Sequence, residues 1–312
     1  MLFILEGIID KIIKPRSGRR VDNGEEDSFL TALVLNEKSI VSVDKRGTIK
    51  VWSTIDGSLL RTIHNFVDNY NEVCLPVLID DGRLVWSDRK SDIIIIDIDA
   101  DRGYTLQNRG IIVCLVALKV NKIASSSEKN KVYIWSPKNL SYAFHKSNLL
   151  EVDSVDGYVQ SMTGLDENKL AIGLSNGEIK IFNFDEGFEI TTLGGISKTS
   201  IKFLLALPDN KLCSHHAFGG KLSVWNVEKN ELSYELDGTV ACLFKDYKTL
   251  ATGSLTSHDV ESINITLWKM NEKEGKIEKI KSFGKISNCK GLLPLSDGRL
   301  VSLETNTIII WK

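Results

Sequence analysis

"TIIIWK", Thr307 to Lys312, decides how this chain is read, because six other stretches repeat its pattern. They are "TIKVWS" from Thr48, "DIIIID" from Asp92, "KVYIWS" from Lys131, "EIKIFN" from Glu178, "KLSVWN" from Lys221 and "NITLWK" from Asn264. In every copy the second and fourth residues are aliphatic, the two-residue period of a strand with one buried face. The fifth residues are Trp52, Ile96, Trp135, Phe182, Trp225, Trp268 and Trp311, with gaps of 44, 39, 47, 43, 43 and 43. Seven such units account for nearly all of the 312 residues.

A second phrase precedes each copy: "LNEKSIVS" at Leu35, "IDDGRLVW" at Ile79, "LKVNKIAS" at Leu118, "LDENKLAI" at Leu165, "LPDNKLCS" at Leu207, "FKDYKTLATG" at Phe244 and "LSDGRLVS" at Leu295. Each reads as a strand end, a polar turn and a new strand, with Asp, Asn and Gly supplying the backbone angles of a tight reversal. "SNGE" at Ser175 and "FGGK" at Phe218 suit two-residue hairpins, and further strands such as "SLLRTI" at Ser58 and "ELSYEL" at Glu231 follow the Trp-type strand. Each period therefore holds about four short antiparallel strands, the blade of a propeller.

The period near 43, the aliphatic-x-aliphatic-Trp strand and the "DGRL" turn resemble the WD-repeat β-propellers over essentially the whole chain. The expected fold is all-β: one domain over 1–312, a seven-bladed β-propeller of four-stranded antiparallel blades. The repeats are divergent. The Asp that names the family stands only at Asp97, and the usual Gly-His is reduced to glycines such as Gly195, Gly238 and Gly284. No repeat carries the full His, Ser/Thr, Asp and Trp set, so blade rigidity is expected to rest more on apolar packing.

The seventh copy ends at its third strand, while the chain begins with an apolar run, Leu2 to Ile9, that has no partner in its own repeat. Pairing the two would complete the last blade with the N-terminal strand and remove exposed sheet edges. This explains the apolar start as a clasp: Glu6 and Asp10 interrupt it before a signal-peptide core forms, and no run approaches the roughly 18 apolar residues of a membrane span.

Charge is balanced, with 39 basic and 41 acidic residues for a net −2, so no global field points to nucleic acid or an anionic membrane. The five cysteines, Cys74, Cys114, Cys213, Cys242 and Cys289, are far apart and lack metal-site spacings. They read as reduced, mostly buried thiols in a cytosolic or nuclear protein.

Function is sought on long connections. "KPRSGRRVDNGEEDS", Lys14 to Ser28, has a basic half (Lys14, Arg16, Arg19, Arg20) and an acidic half (Glu25, Glu26, Asp27). "HKSNLLEVDSVDGY", His145 to Tyr158, reads as an insertion between blades three and four, and "LTSHDVESIN", Leu255 to Asn264, as one within blade six. Strand alternation assigns turns between second and third strands and the links between blades to one face, so these segments should share it. The candidate partner-binding residues are Arg16, Arg19, Arg20, Glu25, Glu26, His145, Lys146, Tyr158, His258 and Asp259.

Catalysis has little support. His215 and His216 in "SHHAFGG" point to opposite faces of a strand, and no P-loop, dinucleotide fingerprint or Gly-x-Ser-x-Gly elbow occurs. Asp97, Asp99 and Asp101 lack calcium-loop spacing and read as a solvated turn, and Trp86 reads as core. No catalytic, metal or cofactor site is expected. The resemblance implies a non-catalytic protein-interaction scaffold, monomeric as a domain, with protein partners and neither nucleic acid nor membrane. The alternative is a phosphoinositide-binding propeller adaptor, whose Phe-Arg-Arg-Gly motif is missing here; "SGRR" at Ser17 is a poor substitute, and the Trp-Asp-x-Arg box of ubiquitin-ligase receptors is missing too.

Overall fold

The computed structural model describes residues 9–13, 29–44, 48–63, 74–87, 92–100, 102–107, 111–128, 130–137, 144–152, 157–194, 198–253, 263–271, 276–286, 289–304 and 307–311. Every described element is a strand, and the strands form seven four-stranded antiparallel sheets.

After β1 (Ile9–Ile13), blade 1 comprises β2 (Phe29–Asn36), β3 (Ser39–Asp44), β4 (Ile49–Ser53) and β5 (Leu59–Ile63). Blade 2 follows with β6 (Cys74–Leu78), β7 (Leu84–Ser87), β8 (Asp92–Asp97) and β9 (Arg102–Gln107). Blade 3 is β10 (Ile112–Ala117), β11 (Ile123–Ser127), β12 (Lys131–Pro137) and β13 (Phe144–Glu151). Blade 4 is β14 (Val159–Gly164), β15 (Lys169–Leu174), β16 (Glu178–Asn183) and β17 (Phe188–Gly194). Blade 5 is β18 (Ile201–Leu207), β19 (Lys211–His216), β20 (Lys221–Asn226) and β21 (Glu231–Asp237). Blade 6 is β22 (Val240–Leu243), β23 (Thr249–Gly253), β24 (Ile263–Asn271) and β25 (Lys276–Ile286). Blade 7 contributes β26 (Gly291–Pro294), β27 (Leu300–Leu303) and β28 (Ile308–Trp311), and its fourth strand is β1. This is the blade set of a seven-bladed β-propeller.

The strand that pairs with β28 runs from Ile9 to Ile13, with Ile9 opposite Trp311 and Ile13 opposite Ile308. Of the expected clasp, Leu2 to Ile9, the described residue is Ile9; residues 1–8 lie outside the described residues.

The chain divides into two compact units. In residues 72–236, blades 2 to 5 stack through neighbouring first strands, β6 on β10, β10 on β14 and β14 on β18. Their cores lie between sheets. Ile93 and Ile95 of blade 2 meet Leu115 and Trp135 of blade 3, and Ile179 and Ile181 of blade 4 meet Leu204 and Trp225 of blade 5. The second unit, residues 1–71 with 237–312, holds blades 6, 7 and 1. Trp311 packs with Ala251 and Ile265 of blade 6, and Trp52 with Val301 and Ile310 of blade 7. Arg299 Nη1 donates to Thr54 O at 2.6 Å, tying a turn of blade 7 to one of blade 1.

A polar brace accompanies this packing. Trp52 donates its indole N–H to Ser42 Oγ at 2.8 Å, Trp135 to Ser125 at 2.9 Å, Trp225 to Ser214 at 2.8 Å, Trp268 to Thr252 at 2.9 Å and Trp311 to Ser302 at 2.9 Å. Where the third strand has no indole, the hydroxyl is replaced as well. Phe182 stands opposite Leu170, two residues before Ile172, and Ile96 stands opposite Leu84, two residues before Trp86. Blade 2 thus carries its large aromatic on the second strand, with Trp86 fully buried. The expectation that apolar packing carries the blades is incomplete: five keep a Trp-to-hydroxyl bond, buried in four of them and part-buried at Trp268, as polar groups in that setting need.

Candidate functional site: an apolar rim on blades 2 to 5

Antiparallel alternation brings three features to one end of each blade: the start of its first strand, the turn between its second and third strands, and the link from the preceding blade. Hydrogen bonds weld them together. Glu128 N donates to Ile111 O at 3.2 Å, Ser175 N to Tyr158 O at 2.8 Å, and Ala217 N to Ser200 O at 2.7 Å. Tyr158 N donates in turn to Ser175 Oγ at 2.9 Å. Neighbouring blades are stitched at the same level: Asn130 Nδ2 donates to Gly157 O at 2.5 Å, Val159 N to Asn130 Oδ1 at 3.1 Å, and Ser200 Oγ to Ser175 O at 3.3 Å. At these residues the rim is preorganised, because their backbone is held by hydrogen bonds.

The first strands are bulged near this end. Register slips by one residue between Ile112 and Cys114, Val159 and Ser161, Ile201 and Phe203, and Cys74 and Val77. A bulge leaves its extra residue without a cross-strand partner and re-aims the side chain. At these positions stand Val113, Gln160 and Lys202, with Leu75 in the corresponding slip of blade 2. Leu75 and Val113 are 54% and 40% exposed although they sit inside apolar strands. Lys202 Nζ donates to Gln160 Oε1 at 2.5 Å, linking blades 4 and 5.

Ile111 and Tyr158, the residues just before β10 and β14, are 45% and 61% exposed, and Phe218 in the turn of blade 5 is fully exposed. Five of the large exposed apolar side chains of this unit therefore lie at one end of its blades: Leu75, Ile111, Val113, Tyr158 and Phe218. At the other end charges are paired among themselves: Arg83 with Asp81 at 2.6 Å, Lys122 with Asp185 at 2.8 Å, Lys169 with Asp166 at 3.0 Å. Val120 and Phe188 are the large apolar residues exposed at that end, with Leu232 beside the start of β21. Ile190, on the outermost strand of blade 4, also sits at a register slip, opposite Ile181 and Phe182, a device that turns a free sheet edge away from pairing.

The structure separates the residues that the sequence placed together. The stretch from His145 is not an insertion: it lies in β13, where His145 pairs with Ser136, Lys146 with Trp135 and Glu151 with Lys131. His145 and Lys146 follow the turn between third and fourth strands, at the opposite end of the blade from Tyr158. The reason is that "FHKSNLLE" is an edge strand with a mixed polar and apolar sequence, and such a strand reads as a loop. Tyr158 is on the rim. Arg16, Arg19, Arg20, Glu25, Glu26, His258 and Asp259 lie outside the described residues. Leu75, Ile111 and Val113 escaped sequence reasoning because "CLPVLI" from Cys74 and "IIVCLVAL" from Ile111 look like buried strand throughout; their only signal is that they have more apolar residues than one buried face requires.

Chemically the described residues offer little reactivity. No three His, Cys, Asp or Glu side chains among them converge as metal ligands. Burial pushes the Cys114, Cys213 and Cys289 thiols up to about 12 and Cys242 higher still, so none is a ready thiolate. His215 is buried with Nε2 2.6 Å from Gly219 O. His216 is half-buried, and burial, with His215 beside it, holds its imidazole below the ordinary value. Asp97 Oδ1 accepts from Asp99 N and Ala100 N, the self-contained turn its sequence suggested.

No family model matches the chain, and no curated protein sequence does. Solved structures match over nearly its full length. The WD40 repeats of RRP9 superpose with a TM-score of 0.75 at 18% identity, covering 97% of this chain and 100% of that one. The WD40 β-propeller domain of Doa1 gives 0.71 at 15%, covering 97% and 96%. A chain of the mitotic checkpoint complex gives 0.75 at 14%, covering 98% and 94%. The fold is a WD40 β-propeller. Of the His, Ser/Thr, Asp and Trp set that braces WD-repeat blades, five blades here show a Trp-to-hydroxyl bond, and an Asp follows the fifth residue of the repeated strand only at Asp97.

Proposed function

We propose that this WD40 propeller is a non-catalytic protein-interaction scaffold whose partner docks on the rim carrying Leu75, Ile111, Val113 and Tyr158. The observation that carries the reading is the gathering of exposed apolar side chains at one end of blades 2 to 5, on backbone that hydrogen bonds already hold in place. Solitary exposed apolar residues need no explanation, whereas a cluster on a rigid frame is what a protein interface uses. One of the similar structures belongs to a multiprotein complex, consistent with this use of the fold. Arg16, Arg19, Arg20, Glu25, Glu26, His258 and Asp259 are proposed as partner contacts of their own segments on the charge and length of those connections. His145 and Lys146, at the other end of blade 3, are proposed as contacts of a partner that reaches round the blade.

The test compares proteins co-purifying with the wild type, Val113→Asp and Val120→Asp. Loss of one partner in Val113→Asp, retention in Val120→Asp and equal melting temperatures support the reading. Retention in Val113→Asp with loss in Val120→Asp assigns the partner to the other end. Flotation of the wild type with phosphoinositide-containing vesicles supports the lipid adaptor instead.

A further inference from the structure

The turn that joins the second and third strands of blade 5 presents a bulky residue in a conformation that bulk disfavours. Gly219 N donates to His216 O at 3.1 Å, closing a tight turn over Ala217 and Phe218, and Phe218 has φ of 68°. That region is ordinarily left to glycine or asparagine. Two glycines, Gly219 and Gly220, follow immediately, so the chain has permissive residues at hand and yet places a phenyl ring at the left-handed position. The ring is fully exposed, so no packing within the chain offsets the strain or the hydration of the apolar surface.

Both sides of the turn are anchored. Ala217 N donates to Ser200 O at 2.7 Å, and the buried His215 ring holds Gly219 O through Nε2 at 2.6 Å. A ring carried on a pinned turn loses little freedom when it is captured, and rigid aromatic side chains with few rotatable bonds make interface hot spots.

We propose that Phe218 is an anchor that inserts into an apolar, ring-sized pocket on a partner protein, and that His215 is the positioning residue for the turn that presents it. This rests on the reading of the rim as partner-facing and goes beyond it by reversing the roles: here the propeller supplies the plug and the partner the pocket. A protein is the occupant favoured over a membrane, because the turn offers a single ring between Ala217 and two glycines, and stable attachment to lipid takes more than one insertion signal. Lys221 beside it is directed to Glu235, 3.5 Å away, rather than forming a basic patch with the ring.

The experiment replaces Phe218 in the full chain with p-benzoylphenylalanine, crosslinks in the expressing cell, and identifies and purifies the captured protein. Its affinity is then measured for the wild type, Phe218→Ala, Phe218→Tyr, His215→Ala, His215→Gln and the Phe218→Ala/His215→Ala pair. The expected loss in Phe218→Ala is about 30-fold or more, as for a hot-spot side chain. Phe218→Tyr stays near wild type, and His215→Gln, which can still donate to Gly219 O, restores what His215→Ala loses. The double variant is no weaker than Phe218→Ala alone, which a merely structural histidine would not produce. Retained affinity in Phe218→Ala overturns the anchor. If Val113→Asp then abolishes binding, the rim reading survives without it; if Val113→Asp binds as well, both fall. Capture of lipid only, of a second copy of the chain, or of no discrete protein also overturns the proposal.

Discussion

The Trp225 indole N–H donates to Ser214 Oγ at 2.8 Å, and both groups are buried. In the preceding blade the same two positions hold Phe182 and Ile172, a pair with nothing to donate and nothing to accept. The hydroxyl is kept where an indole needs it and lost where it does not. Ser214→Ala should therefore cost about 1–3 kcal/mol, the penalty of an orphaned buried donor. Ile172→Ser should be destabilising in blade 4, where the new hydroxyl meets no donor. The Ser214→Ala/Trp225→Phe pair should cost less than the sum of its parts. Urea denaturation of the four proteins checks this; additive costs would show that the bond contributes nothing specific.

Gly173 faces the next blade at a distance that admits no side chain. A Cβ there would lie 2.5 Å from Ile201 Cγ2 and 2.6 Å from Ser161 Oγ, and that serine bridges the blades by donating to Ile201 O at 2.8 Å. Gly173→Ala should lose about 1–3 kcal/mol through overpacking. Gly220→Ala, where a Cβ meets nothing within 4 Å, should stay within about 0.5 kcal/mol of wild type. Equal melting temperatures for the two variants would contradict the close approach of blades 4 and 5.

The backbone pairing of Ile9–Ile13 with Ile308–Trp311 makes β1 the fourth strand of blade 7. Removing residues 1–13 should expose the edge of β28, lower the melting temperature and produce soluble aggregates on a sizing column. A chain lacking 1–13 that remains monomeric at the wild-type melting temperature would count against the role of this strand.

Asp56 is an exposed carboxylate whose pKa is lowered to about 2, first by hydrogen bonding from Ser53 and then from Ser58, whose hydroxyl donates to Oδ1 at 2.7 Å. The folded value lies below the unfolded one, so the stabilisation is present above the ordinary carboxylate range and disappears as pH falls through about 2. Carboxyl chemical shifts should show a midpoint near 2 in the wild type and a higher one in Ser53→Ala. An unchanged midpoint in that variant would remove Ser53 as the leading cause.

Alternation and period were legible because they are local. Each third strand carries its aliphatic-x-aliphatic-Trp pattern within six residues, and a strand needs only its own side chains to declare which face is buried. The number of blades, the turns and Trp86 as a core residue follow from that. The apolar run at the start could pair in more than one register, and the choice of Ile9–Ile13 belongs to the partner it meets at Ile308–Trp311. His145 and Lys146 lie far from Tyr158 because β13 pairs along β12, which no local pattern in a mixed polar and apolar edge strand reveals. Val113 and Leu75 reach solvent because of register slips against β11 and β7, where one extra residue turns a side chain out of its sheet. Sequence alone decided what each strand buries; only the packing of strand on strand decided which apolar residues were left over for a partner.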